Sequence, residues 1–154
     1  MKIRTLMSKA PSYCTPSCTA EMAANLMSQC DAGILPVVQD SLDLKLVGVV
    51  TDRDLCLAVI AARHDPAHTM VNECMSRNAV CVGPEDDVKQ ALALMAEHQV
   101  RRLPVVEEHG QLVGMLSLAD IARQDGVNFE QLAATLRKIC APARILTGKR
   151  ARAA

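Results

Sequence analysis

The sequence predicts an α+β fold made of two copies of one strand–helix–strand–strand–helix unit, followed by a single extra helix. Three observations lead there. First, Met7-Ser8, Pro16, Met27 and Pro36 recur as Met75-Ser76, Pro84, Met95 and Pro104, at a constant offset of 68 residues. Second, Gly48, Thr51 and Asp54 recur as Gly114, Ser117 and Asp120 at an offset of 66, so the first copy carries two extra loop residues. Third, the apolar periodicity changes from helical to extended in the same order within each copy. A half of roughly 60 residues is marginal alone, so the copies are expected to share one core and fold together.

Each element follows from local pattern. Residues 3–8 are expected to form a short helical turn, and Ser12 to Thr15 a short strand that Pro16 stops. From Thr19 to Cys30 the apolar positions Met22, Leu26, Met27 and Cys30 recur at helical spacing. Ile34-Leu35-Pro36-Val37-Val38 and Leu46-Val47-Gly48-Val49-Val50 are β-branched runs joined by a polar loop, which reads as a hairpin. Asp52 is expected to cap a helix running through Leu55, Val59 and Ile60. The second copy repeats this order with Val88, Leu92 and Met95. Its first helix is expected to open on Pro84-Glu85-Asp86-Asp87, a proline and acids where the helix dipole favours them. Asn128 then starts an amphipathic helix on Leu132, Leu136 and Ile139. The organisation expected is a first repeat over 1–63, a linker over 64–70, a second repeat over 71–125, the extra helix over 126–142 and a basic flexible tail over 143–154.

Composition narrows the function. Half of the 154 residues are apolar and the formal net charge is zero, which suits a globular protein and argues against general nucleic-acid binding. Tyr13 and Phe129 are the only aromatics, so no base-stacking platform is available. No run reaches the ~18 apolar residues of a membrane span, and seven cysteines without a secretory leader read as reduced thiols in a cytoplasmic protein. There is no Gly-x-Gly-x-x-Gly, Walker loop or serine elbow, and His64, His68, His98 and His109 fall in linkers, loops or at a helix end. An enzyme is therefore not expected.

No Cys-x-x-Cys pair exists, so the usual zinc spacing is missing. Cys30, Cys56 and Cys74 lie on apolar helix faces and are expected in the core, whereas Cys14 and Cys81 lie on short strands. If the terminal helix folds back, Cys14, His98 and Cys140 meet around zinc; a zinc- or redox-responsive protein is therefore one alternative.

The most informative local motif is Gly48-Val49-Val50-Thr51-Asp52-Arg53-Asp54. A strand ends, a hydroxyl follows, and a helix begins with an aspartate in its first turn. The hydroxyl and free N–H groups there can hold a phosphate or sugar oxygen. Asp54 can accept both hydrogen bonds of a vicinal diol, such as a ribose. The competing reading is that Thr51, Asp52 and Asp54 only cap the helix. The second occurrence, Gly114 to Asp120, weighs toward a ligand, since capping tolerates many residue choices.

The element order, the Leu-Pro-Val-Val strands and the closing Gly-x-x-Thr/Ser-x-x-Asp resemble a tandem pair of CBS (cystathionine-β-synthase type) domains, over about residues 3–124. The resemblance implies a pseudo-twofold CBS pair, commonly a homodimer, that binds an adenosine nucleotide (AMP, ADP or ATP, sometimes S-adenosylmethionine or NAD) and regulates another protein without catalysis. It also implies two crossed clefts. The first takes Thr51 and Asp54 for ribose and Arg53 for phosphate, with a wall at Asn78, Ala79, Val80, Cys81, Val100, Arg101, Arg102, Leu103 and Pro104. The second takes Ser117 and Asp120, with a wall that includes Tyr13, Gly33, Ile34 and Pro36. Leu118 and Ala119 stand there in place of Asp52 and Arg53, which leaves the second cleft without an evident phosphate ligand. A docking scaffold with empty clefts is the remaining alternative.

Overall fold

The computed structural model describes residues 1–142, so the basic tail expected over 143–154 lies outside the described residues. In chain order the elements are β1 (Ser8–Lys9), α1 (Ala20–Gln29), β2 (Ile34–Val38), β3 (Leu46–Thr51), α2 (Asp52–Leu55), α3 (Val71–Cys74), β4 (Ser76–Arg77), α4 (Val88–His98), β5 (Arg102–Val106), β6 (Leu112–Ser117), α5 (Leu118–Ala122) and α6 (Phe129–Ile139). They gather into two compact units. One holds Ala10–Ala79 with Glu108–Leu112; the other holds Met1–Lys9, Val80–Glu107 and, among the described residues, 113–142.

The first unit is built on a three-stranded sheet of order β2-β3-β4. β2 and β3 form the expected antiparallel hairpin, with Ile34 opposite Thr51, Leu35 opposite Val50 and Val37 opposite Gly48. Pro36 is tolerated because β2 is an edge strand of this sheet. The strand expected over Ser12 to Thr15 reduces to one parallel bridge, in which Cys14 N–H donates to Pro36 O at 3.1 Å and Val38 N–H to Cys14 O at 2.9 Å. Leu35, Val37 and Val50 pack with Ala23, Met27, Val71 and Cys74 to form the core.

Helix α1 begins where expected, capped by Thr19, whose hydroxyl accepts from Met22 N–H at 3.2 Å. Its buried face is Ala20, Ala23 and Met27, whereas Met22 is 57% exposed. Small alanines let the helix lie close against the core, so the face differs from the one the larger side chains suggest. The cap of α2 is Thr51 and not Asp52. After Leu55 the helix widens into a π-type turn over Cys56–Ala61, closed by His64 N–H donating to Val59 O at 2.9 Å. The wider turn keeps Val59 buried and leaves Ile60, expected inside, 73% exposed.

The second unit has a sheet of order β1-β6-β5, with Ser8 opposite Met115 and Lys9 opposite Gly114. Residues 3–5 form the expected short turn and bury Ile3 completely. Helix α4 starts at Val88 rather than at Pro84: Asp87 is its cap, accepting from Lys89 N–H at 2.9 Å, while Asp86 turns back to Gly83 N–H at 2.7 Å. Val88, Ala91, Leu92 and Met95 meet Leu103, Val105, Leu116 and Ile121 in the core. Helix α6 starts on Asn128 as expected, and Leu132 and Ile139 pack against this core. Gln99 ends α4 in the left-handed conformation (φ 54°) and donates to Lys138 O at 3.1 Å and Ala141 O at 2.9 Å, tying the two helix ends together.

One rule relates the two sheets. Each is completed by the two-residue strand near the start of the other copy: β4, in copy two, pairs with β3 of copy one, and β1, in copy one, pairs with β6 of copy two.

Candidate functional site

Strand β3 delivers Thr51 to the start of α2, where two demands meet. The first N–H groups of a helix have no intrahelical partner, and a hydroxyl three residues before a carboxylate satisfies them reciprocally. Asp54 N–H donates to Thr51 Oγ1 at 3.1 Å, while Thr51 N–H and Oγ1–H donate to Asp54 Oδ2 at 3.1 and 2.7 Å. The second copy repeats this: Asp120 N–H donates to Ser117 Oγ at 3.0 Å, and Ser117 N–H and Oγ–H donate to Asp120 Oδ2 at 2.8 and 2.6 Å. Capping is therefore real in both copies, and it occupies one carboxylate oxygen of each aspartate.

The other oxygen separates the copies. Asp120 Oδ1 is held by the Arg123 guanidinium at 2.5 Å. Among the described residues, Asp54 Oδ1 accepts no hydrogen bond, and Asp54 is only half-buried. The first motif leaves one carboxylate oxygen without a hydrogen-bond partner among the described residues. The second spends its acceptor internally.

Beside Thr51 stand Gly33 and Ile34. Asp52 N–H donates to Gly33 O at 3.1 Å, Ile34 pairs with Thr51, and a Cβ on Gly33 would come within 2.9 Å of Asp52 Oδ2. In the same unit Asn78 follows β4 in the left-handed conformation (φ 59°), exposed, with Ala79 half-buried after it. Tyr13 is half-buried and Pro36 is in the core.

In the second unit, Arg101 takes the place that Gly33 has in the first: Leu118 N–H donates to Arg101 O at 2.9 Å. Val100, Leu103 and Pro104 are buried, and Val100 N–H and Pro104 O are engaged by Met95 O and Val82 N–H at 3.1 Å each. Val80 packs against this unit's core and Cys81 is exposed. Arg101, Arg102 and Ser117 line one cavity of about 630 Å³ together with Leu118, Ala119 and Ala122. Phe129, Leu132, Ala133 and Leu136 of α6 form its other side. None of these apolar lining residues was expected at a site. The available signal was the strong amphipathicity of residues 129–139 together with the apolar pair Leu118-Ala119.

Of the cysteines expected in the core, Cys74 is buried, but Cys30 and Cys56 are exposed: Cys30 stands at the C-terminal end of α1, and Cys56 begins the widened turn. Burial pushes the Cys14 thiol up to about 12, with the neighbouring Cys18 adding to it. Cys74 is raised too, first by burial and then by the carboxylates of Glu73 and Asp54. Since the thiolate is the reactive form, Cys14 and Cys74 are expected to resist iodoacetamide at pH 8 while Cys30 and Cys140 are labelled. Peptide mass mapping over a time course checks this; early labelling of Cys14 would show that it is accessible. Of the expected zinc trio, Cys14 belongs to the first unit and His98 and Cys140 to the second; among the described residues no group of three His, Cys, Asp or Glu side chains is placed to hold a metal ion.

Comparison with known proteins follows the same outline. Among the described residues no helix is long and apolar enough to cross a membrane. The chain is 38% identical over 120 residues to the CBS domain-containing protein YhcV of Bacillus subtilis, covering 78% of this chain and 82% of that one. It is 36% identical over 124 residues to Hypoxic response protein 1 of Mycobacterium tuberculosis, covering 80% and 83%. The crystal structure of Hypoxic Response Protein I with two coordinated zinc ions superposes with a TM-score of 0.73 at 35% identity, covering 80% of this chain and 98% of that one. The Arabidopsis thaliana protein CBSX2 in complex with AMP gives 0.68 at 27% identity, covering 79% and 93%. The CBS domain profile matches twice, over residues 3–61 and 71–125. With both copies matched and each sheet closed by a short strand of the other copy, this chain belongs to the CBS domain family as a CBS pair.

Proposed function

We propose that this CBS pair senses an adenosine nucleotide of the AMP, ADP or ATP class through its first motif and acts on a partner protein in trans. The observation that carries this reading is the capped Asp54 with one carboxylate oxygen still free. A cap needs only one oxygen; the second suits the 2′- and 3′-hydroxyls of a ribose. Thr51 fixes the carboxylate, Arg53 supplies a guanidinium for phosphate, and Asn78 and Ala79 belong to the same unit. The complex of the related CBSX2 with AMP supports the ligand class. The homodimer and the cytoplasmic setting belong to this same reading.

A thermal-shift screen with AMP, ADP, ATP, NAD and S-adenosylmethionine tests it. A ligand at 100 times its Kd adds about 2.7 kcal/mol to stability. For a chain of this size that raises the melting temperature by roughly 5–11 °C. Melting unchanged by all five would sink the reading in favour of a docking scaffold. Zinc is coordinated in the related Hypoxic Response Protein I, and among the described residues here no group of three His, Cys, Asp or Glu is placed to hold a metal ion.

A further inference from the structure

We propose that the second unit binds a medium-chain carboxylate, of the fatty-acid type, in the cavity between α6 and the β6–α5 turn. Its volume of about 630 Å³ falls within the roughly 300–1,000 Å³ of small-molecule sites. Its walls are carbon: Leu118 and Ala122 on one side, Phe129, Leu132 and Leu136 on the other. Among the described residues, Arg101 and Arg102 are the only charged residues lining it, and neither is in an ion pair. An apolar chamber with two uncompensated guanidiniums is complementary to an apolar anion.

Other occupants fit less well. Ser117 lines the cavity, but its hydroxyl is already given to Asp120, and Asp120 itself is not on the wall. A ribose would find no free carboxylate there. Residues 143–154 carry Arg144, Lys149, Arg150 and Arg152 and no acid, the same sign as the arginine pair. Phe129 is 70% exposed and Leu136 45%, so α6 presents apolar surface beyond what its own core uses. The family profile ends at residue 125, so the α6 side of this cavity lies outside the matched residues.

The test is calorimetric titration of the full chain with decanoate, decanol and decyltrimethylammonium, each below its micelle concentration. Decanoate should bind saturably, decanol roughly tenfold or more weakly, and the cation not at all, since a hydrogen bond to a charged group carries at least that factor. Arg101→Gln with Arg102→Gln should bring decanoate down to the decanol level and leave decanol unchanged. Phe129→Ser should weaken both while leaving AMP binding intact, which separates this site from the nucleotide reading. Equal binding of the three amphiphiles overturns the proposal. So does displacement of decanoate by AMP, cosedimentation with phosphatidylglycerol vesicles, or a change of oligomeric state in Phe129→Ser, which would make this face a nucleotide site, a membrane surface or a protein interface. The amphiphile series uses the unaltered chain, so it decides even if a variant misfolds.

Discussion

Replacing Asp54 by alanine is expected to weaken AMP binding roughly ten- to a hundredfold or more. Each hydrogen bond to a charged acceptor is worth about 1.5–3 kcal/mol, and 1.4 kcal/mol is a factor of ten. The substitution also removes the cap, because Oδ2 holds Thr51 N–H and Oγ1–H. Losing a cap costs about 1 kcal/mol of stability, so binding must be separated from folding. Asp54→Asn does this. Its amide oxygen can still receive Thr51, whereas the position facing a diol becomes an NH₂ donor. It should melt close to the unaltered chain and still lose binding. Asp120→Ala should cost AMP affinity far less, since Arg123 already holds Asp120 Oδ1. Calorimetry on the three variants gives the order directly. If Asp54→Ala binds AMP as tightly as the unaltered chain, the carboxylate is a cap and nothing more.

The duplication made the hairpins, the helix order and the hydroxyl–acid turns legible, because each signal is local and appears twice. Side-chain choice within a helix was less legible. Met22 looked like core and is exposed, since Ala20 and Ala23 allow a closer approach than a methionine would. Ile60 was misplaced by a turn that widens after Leu55, and nothing in the residue pattern announces a change from four- to five-residue spacing. The reading of Leu118-Ala119 shows the same limit at the site. Compared with Asp52-Arg53, the pair looked like a lost phosphate ligand. In the fold it lines an apolar wall opposite α6, and the arginines of that unit, Arg101 and Arg102, line the same cavity. A comparison between copies finds what is missing, but not what a later helix adds.

The second large effect is expected from Gly48→Val, which should lower stability by about 2–3 kcal/mol, near the upper end of the overpacking range. A Cβ at Gly48 would lie 2.5 Å from the carbonyl oxygen of Ser76, and a backbone atom cannot swing aside as a side chain does. The strand that must give way is β4, only two residues long and held by Gly48 opposite Arg77 and Val49 opposite Ser76. Its loss would unpair one side of β3, the strand that positions Thr51, and release the chain that leads into Asn78. The equivalent change in the other sheet, Gly114→Val, should cost less. Its Cβ meets the flexible Met7 Sδ at 2.6 Å before Ser8 O at 2.9 Å, and a thioether can rotate away. Thermal melts should therefore rank Gly48→Val below Gly114→Val, with a fall for the former of roughly 4–12 °C. If both melt with the unaltered chain, β4 and β1 do not lie against the glycines, and the exchange of short strands that completes each sheet is wrong. If only Gly48→Val melts early and also loses AMP, the same contact closes the sheet and sets the ligand site, because Thr51 and Asn78 are held from its two sides.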